Sequence, residues 1–128
     1  MNNMKKIVIC ILVAVFIITI AVTAFASISF SNNNLMTYYT TSPLYISVNM
    51  YGKYVNTKSC FLDGVGCLHR CWLGTSSTAY SSRLTVSQGQ TKYLYPNETG
   101  TYRLCIENYY YYNQQAIKVA GTFSNLYK

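Results

Sequence analysis

The chain reads as an all-β fold, a small disulfide-stabilised antiparallel β-sandwich with a small β-barrel as the alternative. Three observations lead there. Beyond the first two dozen residues no stretch repeats apolar side chains at the three-and-four spacing of an amphipathic helix. Short segments that alternate apolar and polar residues recur instead, punctuated by Gly, Pro and Asn. Cysteines are also frequent for a chain this size, as they are in exported domains too small to rely on core burial alone.

The first element is an export signal over residues 1–26. Lys5 and Lys6 form the basic start, residues 7–22 are apolar, and Ala24-Phe25-Ala26 supplies a small-x-small cleavage site. The apolar run approaches the length that spans a bilayer, so retention as an anchor is the competing reading. Cys10 lies inside this run and leaves with it. Residues 27–128 then form a single secreted domain, too short for two independent cores.

Within that domain, residues 27–41 suggest two short strands. Ile28 and Phe30 alternate with serines, and Asn32-Asn33-Asn34 supplies a turn. Residues 44–50 alternate Leu44, Ile46, Val48 and Met50 against Tyr45, Ser47 and Asn49. Gly52-Lys53 suggests a turn into a return strand over residues 54–57 that heads toward Cys60. Further strands are expected over residues 83–87 and 91–95, broken by Gln88-Gly89-Gln90. Pro96-Asn97-Glu98-Thr99-Gly100 is turn chemistry. Residues 101–107 follow with the clearest alternation in the chain: Tyr102, Leu104 and Ile106 on one face, Arg103, Cys105 and Glu107 on the other. A closing strand over residues 116–123, with Ile117, Val119, Gly121 and Phe123 on one face, brings the count to seven or eight.

The four cysteines left after removal of the leader are Cys60, Cys67, Cys71 and Cys105. An even number in an exported chain implies two disulfides. A two-residue turn at Asp63-Gly64 would set Cys60 opposite Cys67 and leave Cys71 for Cys105. The set Cys67 with Cys71 and Cys60 with Cys105 stays open. Trp72, next to Cys71, is expected to pack in the core against a disulfide.

Composition argues against several functions. Of the ten Lys and Arg residues only Lys5 and Lys6 fall in the leader, so the mature domain is basic against Asp63, Glu98 and Glu107. The charges are scattered rather than clustered, which disfavours nucleic acid and leaves at most weak attraction to a membrane surface. One histidine and three carboxylates offer no evident general acid–base pair, so no catalytic residue is assigned and no enzyme is expected. Cys67-x-His69-x-Cys71 lacks an indicated fourth metal ligand, and a thiolate nucleophile would not survive in an oxidising compartment. Neither metal nor cofactor is expected, and His69 reads as a loop residue. Asn97-Glu98-Thr99 matches a glycosylation sequon.

The most distinctive feature is Tyr109-Tyr110-Tyr111-Tyr112-Asn113, followed by Gln114-Gln115. Tyrosine presents a flat apolar ring with a polar tip, and neighbouring amides add directional hydrogen bonds. These five residues are the candidate binding site, although one face of such a run can equally be spent on the core. The expected role is a secreted or cell-envelope, non-enzymatic binding module for polysaccharide, cell wall or protein. A basic membrane-active protein and an assembly subunit are the alternatives.

Overall fold

The computed structural model describes residues 26–128, so the export segment lies outside the described residues except for Ala26. The described chain is all-β and antiparallel, with ten strands: β1 (Ser27–Leu35), β2 (Tyr38–Thr40), β3 (Leu44–Ile46), β4 (Met50–Phe61), β5 (His69–Leu73), β6 (Leu84–Val86), β7 (Thr91–Leu94), β8 (Gly100–Tyr102), β9 (Leu104–Asn108) and β10 (Ile117–Tyr127). Two four-stranded sheets run in the orders β1-β10-β4-β7 and β2-β9-β5-β6, and β3 pairs with β8 in a third. For brevity the first two are the β10 sheet and the β9 sheet.

Both large sheets contribute to one core. Phe30, Tyr54, Ile117, Val119 and Phe123 come from the β10 sheet, and Cys71, Leu73, Val86, Leu104 and Ile106 from the β9 sheet. The period-two pattern that buries them is clean in β10, where alternate residues from Ile117 to Asn125 are buried. The Phe30 ring stacks at 5.7 Å on Tyr39 of the β9 sheet and, within its own sheet, at 5.7 Å on Tyr54. The Tyr54 hydroxyl lies 2.9 Å from His69 Nε2, joining β4 to β5.

Three boundaries differ from the sequence expectation for identifiable reasons. The expected turn at Asn32-Asn33-Asn34 lies within β1, where the pairing with β10 absorbs an irregularity between Asn32 and Leu35. Strand alternation over residues 44–50 breaks after Ile46, because the Met50 amide donates to the Ser47 carbonyl and the Asn49 amide to Ser47 Oγ, closing a turn that leaves Val48 exposed. The expected turn at Gly52-Lys53 is instead the interior of the twelve-residue β4. Gly52 is there for packing: a Cβ would come within 3.0 Å of the Phe123 ring and 3.3 Å of Ile46 and Leu73. β4 is also long because it absorbs a bulge. Gly121 pairs with Asn56 and Ala120 with Lys58, so Thr57 is the extra residue and the strand's inward phase moves from Asn56 to Ser59.

The cysteines are carried as four buried thiols. The turn after β4 is longer than two residues: the Phe61 amide donates to the Val65 carbonyl and the Gly64 amide to the Phe61 carbonyl. As a result Cys60 bridges to Gly66 rather than to Cys67. In the other pair Cys71 is opposite Ile106, and Cys105 is opposite Trp72. Each pair misses alignment by one residue, which turns the two side chains toward opposite faces; accordingly Cys67 and Cys71 belong to the core cluster while Cys60 and Cys105 do not.

His69 and Trp72 also depart from expectation. His69 is not in a loop but opens β5, fully buried in phase with Cys71 and Leu73. Trp72, one residue out of that phase, lies on the outer face of the β9 sheet beside Cys105. It is nevertheless buried, because the Arg83 guanidinium covers its ring at 4.4 Å, the Tyr38 ring meets its edge at 6.2 Å, and its indole N–H donates to the Thr75 carbonyl at 2.8 Å.

Candidate functional site

The tyrosine run is neither a strand nor a floppy loop. β9 ends at Asn108, and the chain turns through Tyr109 and Tyr110 into a single 3-10 turn, Tyr111–Asn113, before β10 begins. Asn108 fixes the base of this excursion. Its side-chain NH2 lies 3.1, 2.9 and 2.7 Å from the carbonyls of Leu35, Met36 and Gln115, its Oδ1 accepts from the Tyr110 amide at 2.8 Å, and its own amide donates to Thr37. One buried amide thus ties both ends of the turn to the β1–β2 connection, satisfying polar groups that would otherwise be costly to bury.

The four tyrosines divide their roles. Tyr110 is the anchor: its ring packs 4.7 Å from Phe61, and its hydroxyl accepts from the Leu68 amide at 3.2 Å. Tyr109, 40 % exposed, and Tyr112, 85 % exposed, present their rings to solvent, with Tyr111 4.2 Å from Tyr112. The expectation that the run serves either the core or the surface therefore resolves residue by residue. Gln114 closes the turn in the left-handed region at φ 55°, a conformation uncommon for a residue with a Cβ, and its amide donates to the Tyr111 carbonyl at 3.1 Å. Asn113 is exposed beside it.

Two surfaces meet at this turn. On one side, Arg70 of β5 reaches across its cross-strand partner Glu107 of β9, Nη1 to Oε1 at 3.0 Å, and its guanidinium lies 4.6 Å above the Tyr109 ring. Glu107 also faces Tyr38 of β2. A hydrogen bond from that phenol to the Glu107 carboxylate raises the Tyr38 pKa above its ordinary value, since losing the proton would set two negative charges together. Tyr38, Arg70, Glu107 and Tyr109 form a continuous polar-aromatic patch. On the other side an open groove of about 600 Å³ runs between the β4–β5 turn and the start of β10, lined by Phe61, Leu62, Asp63, Val65, Gln114, Gln115 and Ala116. Asp63 is held by accepting the Val65 amide at 3.0 Å.

The sequence placed Tyr109 to Asn113 in one site, and the structure keeps them contiguous. Tyr38 has the same ring chemistry and invites the same reading, but the sequence did not reveal that Tyr38, Arg70, Glu107 and the β4–β5 turn gather around the run, because these arrive through pairing across more than thirty residues. The one available signal was that Arg70 and Glu107 both sit out of phase with buried neighbours.

His69 and the four cysteines are buried. Burial lowers the His69 pKa to about 4, and its Nδ1 has no partner among the described residues. Burial pushes the Cys67 thiol up to about 11 and the Cys71 and Cys105 thiols up to about 12, so none is a thiolate near neutrality. Among the described residues no three of His, Cys, Asp and Glu converge on a possible metal position, and no helix is long and apolar enough to cross a membrane. No protein-family model, curated protein or solved structure matches this chain.

Proposed function

We propose that this chain is an exported, non-enzymatic binding module that grips a carbohydrate polymer with the tyrosine turn. The observation that carries the reading is the division of labour within residues 109–112: one ring is spent on anchoring so that its neighbours are held exposed on a well-braced turn. Rings fixed in this way lose little conformational freedom when a sugar face stacks on them, which lowers the entropic cost of binding. The Gln114 and Gln115 amides and the Asp63 carboxylate edge the adjoining groove, where hydroxyl groups find both donors and acceptors.

The proposal extends to architecture. The two large sheets would be the layers of a sandwich, and Cys60–Cys67 and Cys71–Cys105 would be its disulfides in an oxidising compartment. Both pairs are close enough for one thiolate to raise its neighbour's pKa, although bridging requires a local one-residue change of register. Alkylation of the exported protein in denaturant, with and without prior reduction, checks this by mass. Four labelled cysteines without reductant would exclude the bridges.

The binding reading is tested by co-sedimentation of the purified protein with insoluble cell wall and insoluble neutral polysaccharides at low and high salt. Binding that persists at high salt and weakens about tenfold in the Tyr109→Ala, Tyr112→Ala double variant is expected, roughly 0.5–1.5 kcal/mol for each aromatic contact. Unchanged binding by a folded double variant removes these residues from the site.

A further inference from the structure

The outer face of the β10 sheet has no role in the site above, yet its side chains are sorted by charge. Alternation and register place Lys53, Lys58 and Lys118 outward, Lys58 and Lys118 as diagonal neighbours on adjacent strands, two residues off a direct pair. Lys53 is opposite Ser124 on one side and Tyr93 on the other. At the far end Tyr51 contacts Tyr93 at 5.0 Å and Tyr95 at 5.8 Å, and the Lys128 ammonium lies 5.6 Å from the Tyr95 ring centroid. Between the lysines the face is lined with hydroxyls: Ser27 opposite Ser124, and Ser29 opposite Thr122.

Among the described residues no Asp or Glu side chain shares this face. Glu107 is on the outer face of the β9 sheet, paired with Arg70. Asp63 is in the turn after β4 and Glu98 in the segment before β8. None of the four lysines has an ion-pair partner among the described residues. Neighbouring Lys58 and Lys118 repel one another, a cost that an anionic ligand would reverse.

We propose that this face is a second binding surface, separate from the tyrosine turn, and that its ligand is an anionic polysaccharide. Four ammonium groups spread along β10 and its neighbours cover roughly 33 Å at about 3.3 Å per residue. That spacing is far sparser than the phosphates of duplex DNA, one charge per roughly 1.7 Å, and suits a polymer that carries no more than one carboxylate per sugar. The intervening serine and threonine hydroxyls match sugar hydroxyls, and Tyr51, Tyr93 and Tyr95 offer rings for the pyranose faces. The large exposed apolar side chains on this face are tyrosines, with no exposed aliphatic wedge to enter a lipid layer.

Affinity electrophoresis of the whole protein through gels containing polygalacturonate, with uncharged dextran and phosphatidylglycerol vesicles as comparisons, tests the assignment. Retardation by polygalacturonate that falls steeply between low and high salt is expected, with none by dextran through this face. The Lys53→Gln, Lys58→Gln, Lys118→Gln variant should lose affinity about tenfold or more, while Lys92→Gln, at a β7 position paired with the buried Tyr54 and so off this face, should bind polygalacturonate as the parent does. A lysine variant that keeps its fold, by its urea transition, and still binds like the parent overturns the proposal. So does tighter binding to the vesicles than to the polyuronate. Loss on replacing the turn tyrosines would instead assign the polyanion to the turn and leave this face without a ligand.

Discussion

At the scale of single residues, His69 shows how a polar side chain becomes a structural element with a pH limit. Its Nε2 has the Tyr54 hydroxyl, but Nδ1 has no partner among the described residues. A second ring proton would therefore be buried without an acceptor, and burial lowers the pKa from 6.5 to about 4. Above pH 6.5 the ring is neutral folded and unfolded, and no stability is at stake. Below it the unfolded chain takes up a proton that the folded chain refuses, so stability falls as pH drops toward 4, by up to about 3 kcal/mol. Urea unfolding at pH 7 and pH 4 should show this loss, and His69→Gln should remove most of the difference. An unchanged slope in that variant would mean that the carboxylates, not His69, govern acid stability. Trp72 and Glu107 make a related point. Both are on an outer face, yet both are buried, because Arg83 covers one and Arg70 and Tyr38 flank the other.

At the scale of elements, β10 has the most consequence. It lies between β1 and β4, so it supplies hydrogen bonds on both edges, and its inward residues Ile117, Val119 and Phe123 are fully or almost fully buried. Asn125 adds a clamp near its end, donating to the Tyr45 carbonyl and accepting from the Ala26 amide, each at 2.6 Å. Removing residues 117–128 therefore strands β1 without a partner and opens the core. The truncated chain is expected to lose the cooperative urea transition followed by Trp72 fluorescence. If the transition survives, the β10 sheet is not the unit that holds the domain together. By contrast the tyrosine turn is held mainly by Asn108 and Tyr110, so substituting its exposed rings should leave that transition in place and affect binding alone.

At the scale of the whole molecule, two outer faces carry different chemistry around one shared core. The β9 face combines aromatic rings with a paired arginine and glutamate, and the β10 face combines hydroxyls with unpaired lysines. What the sequence determined by itself is what local chemistry dictates. Alternation disclosed the all-β class and the inward set Tyr102, Leu104, Ile106, Ile117, Val119 and Phe123, because a strand's side chains obey a period of two wherever it pairs. Four adjacent tyrosines stood out without any neighbour. Tertiary structure decided everything that depends on register. A bulge at Thr57 and a turn one step longer than two residues at Asp63-Gly64 reset which residues face each other, and a shift of one position reverses every side chain beyond it. For that reason the cysteine partners, the burial of His69, the covering of Trp72, the meeting of Arg70 with Glu107 and the gathering of lysines on one face could not be read along the chain. Each depends on strands far apart in sequence, and only their hydrogen-bonded alignment brings the residues together.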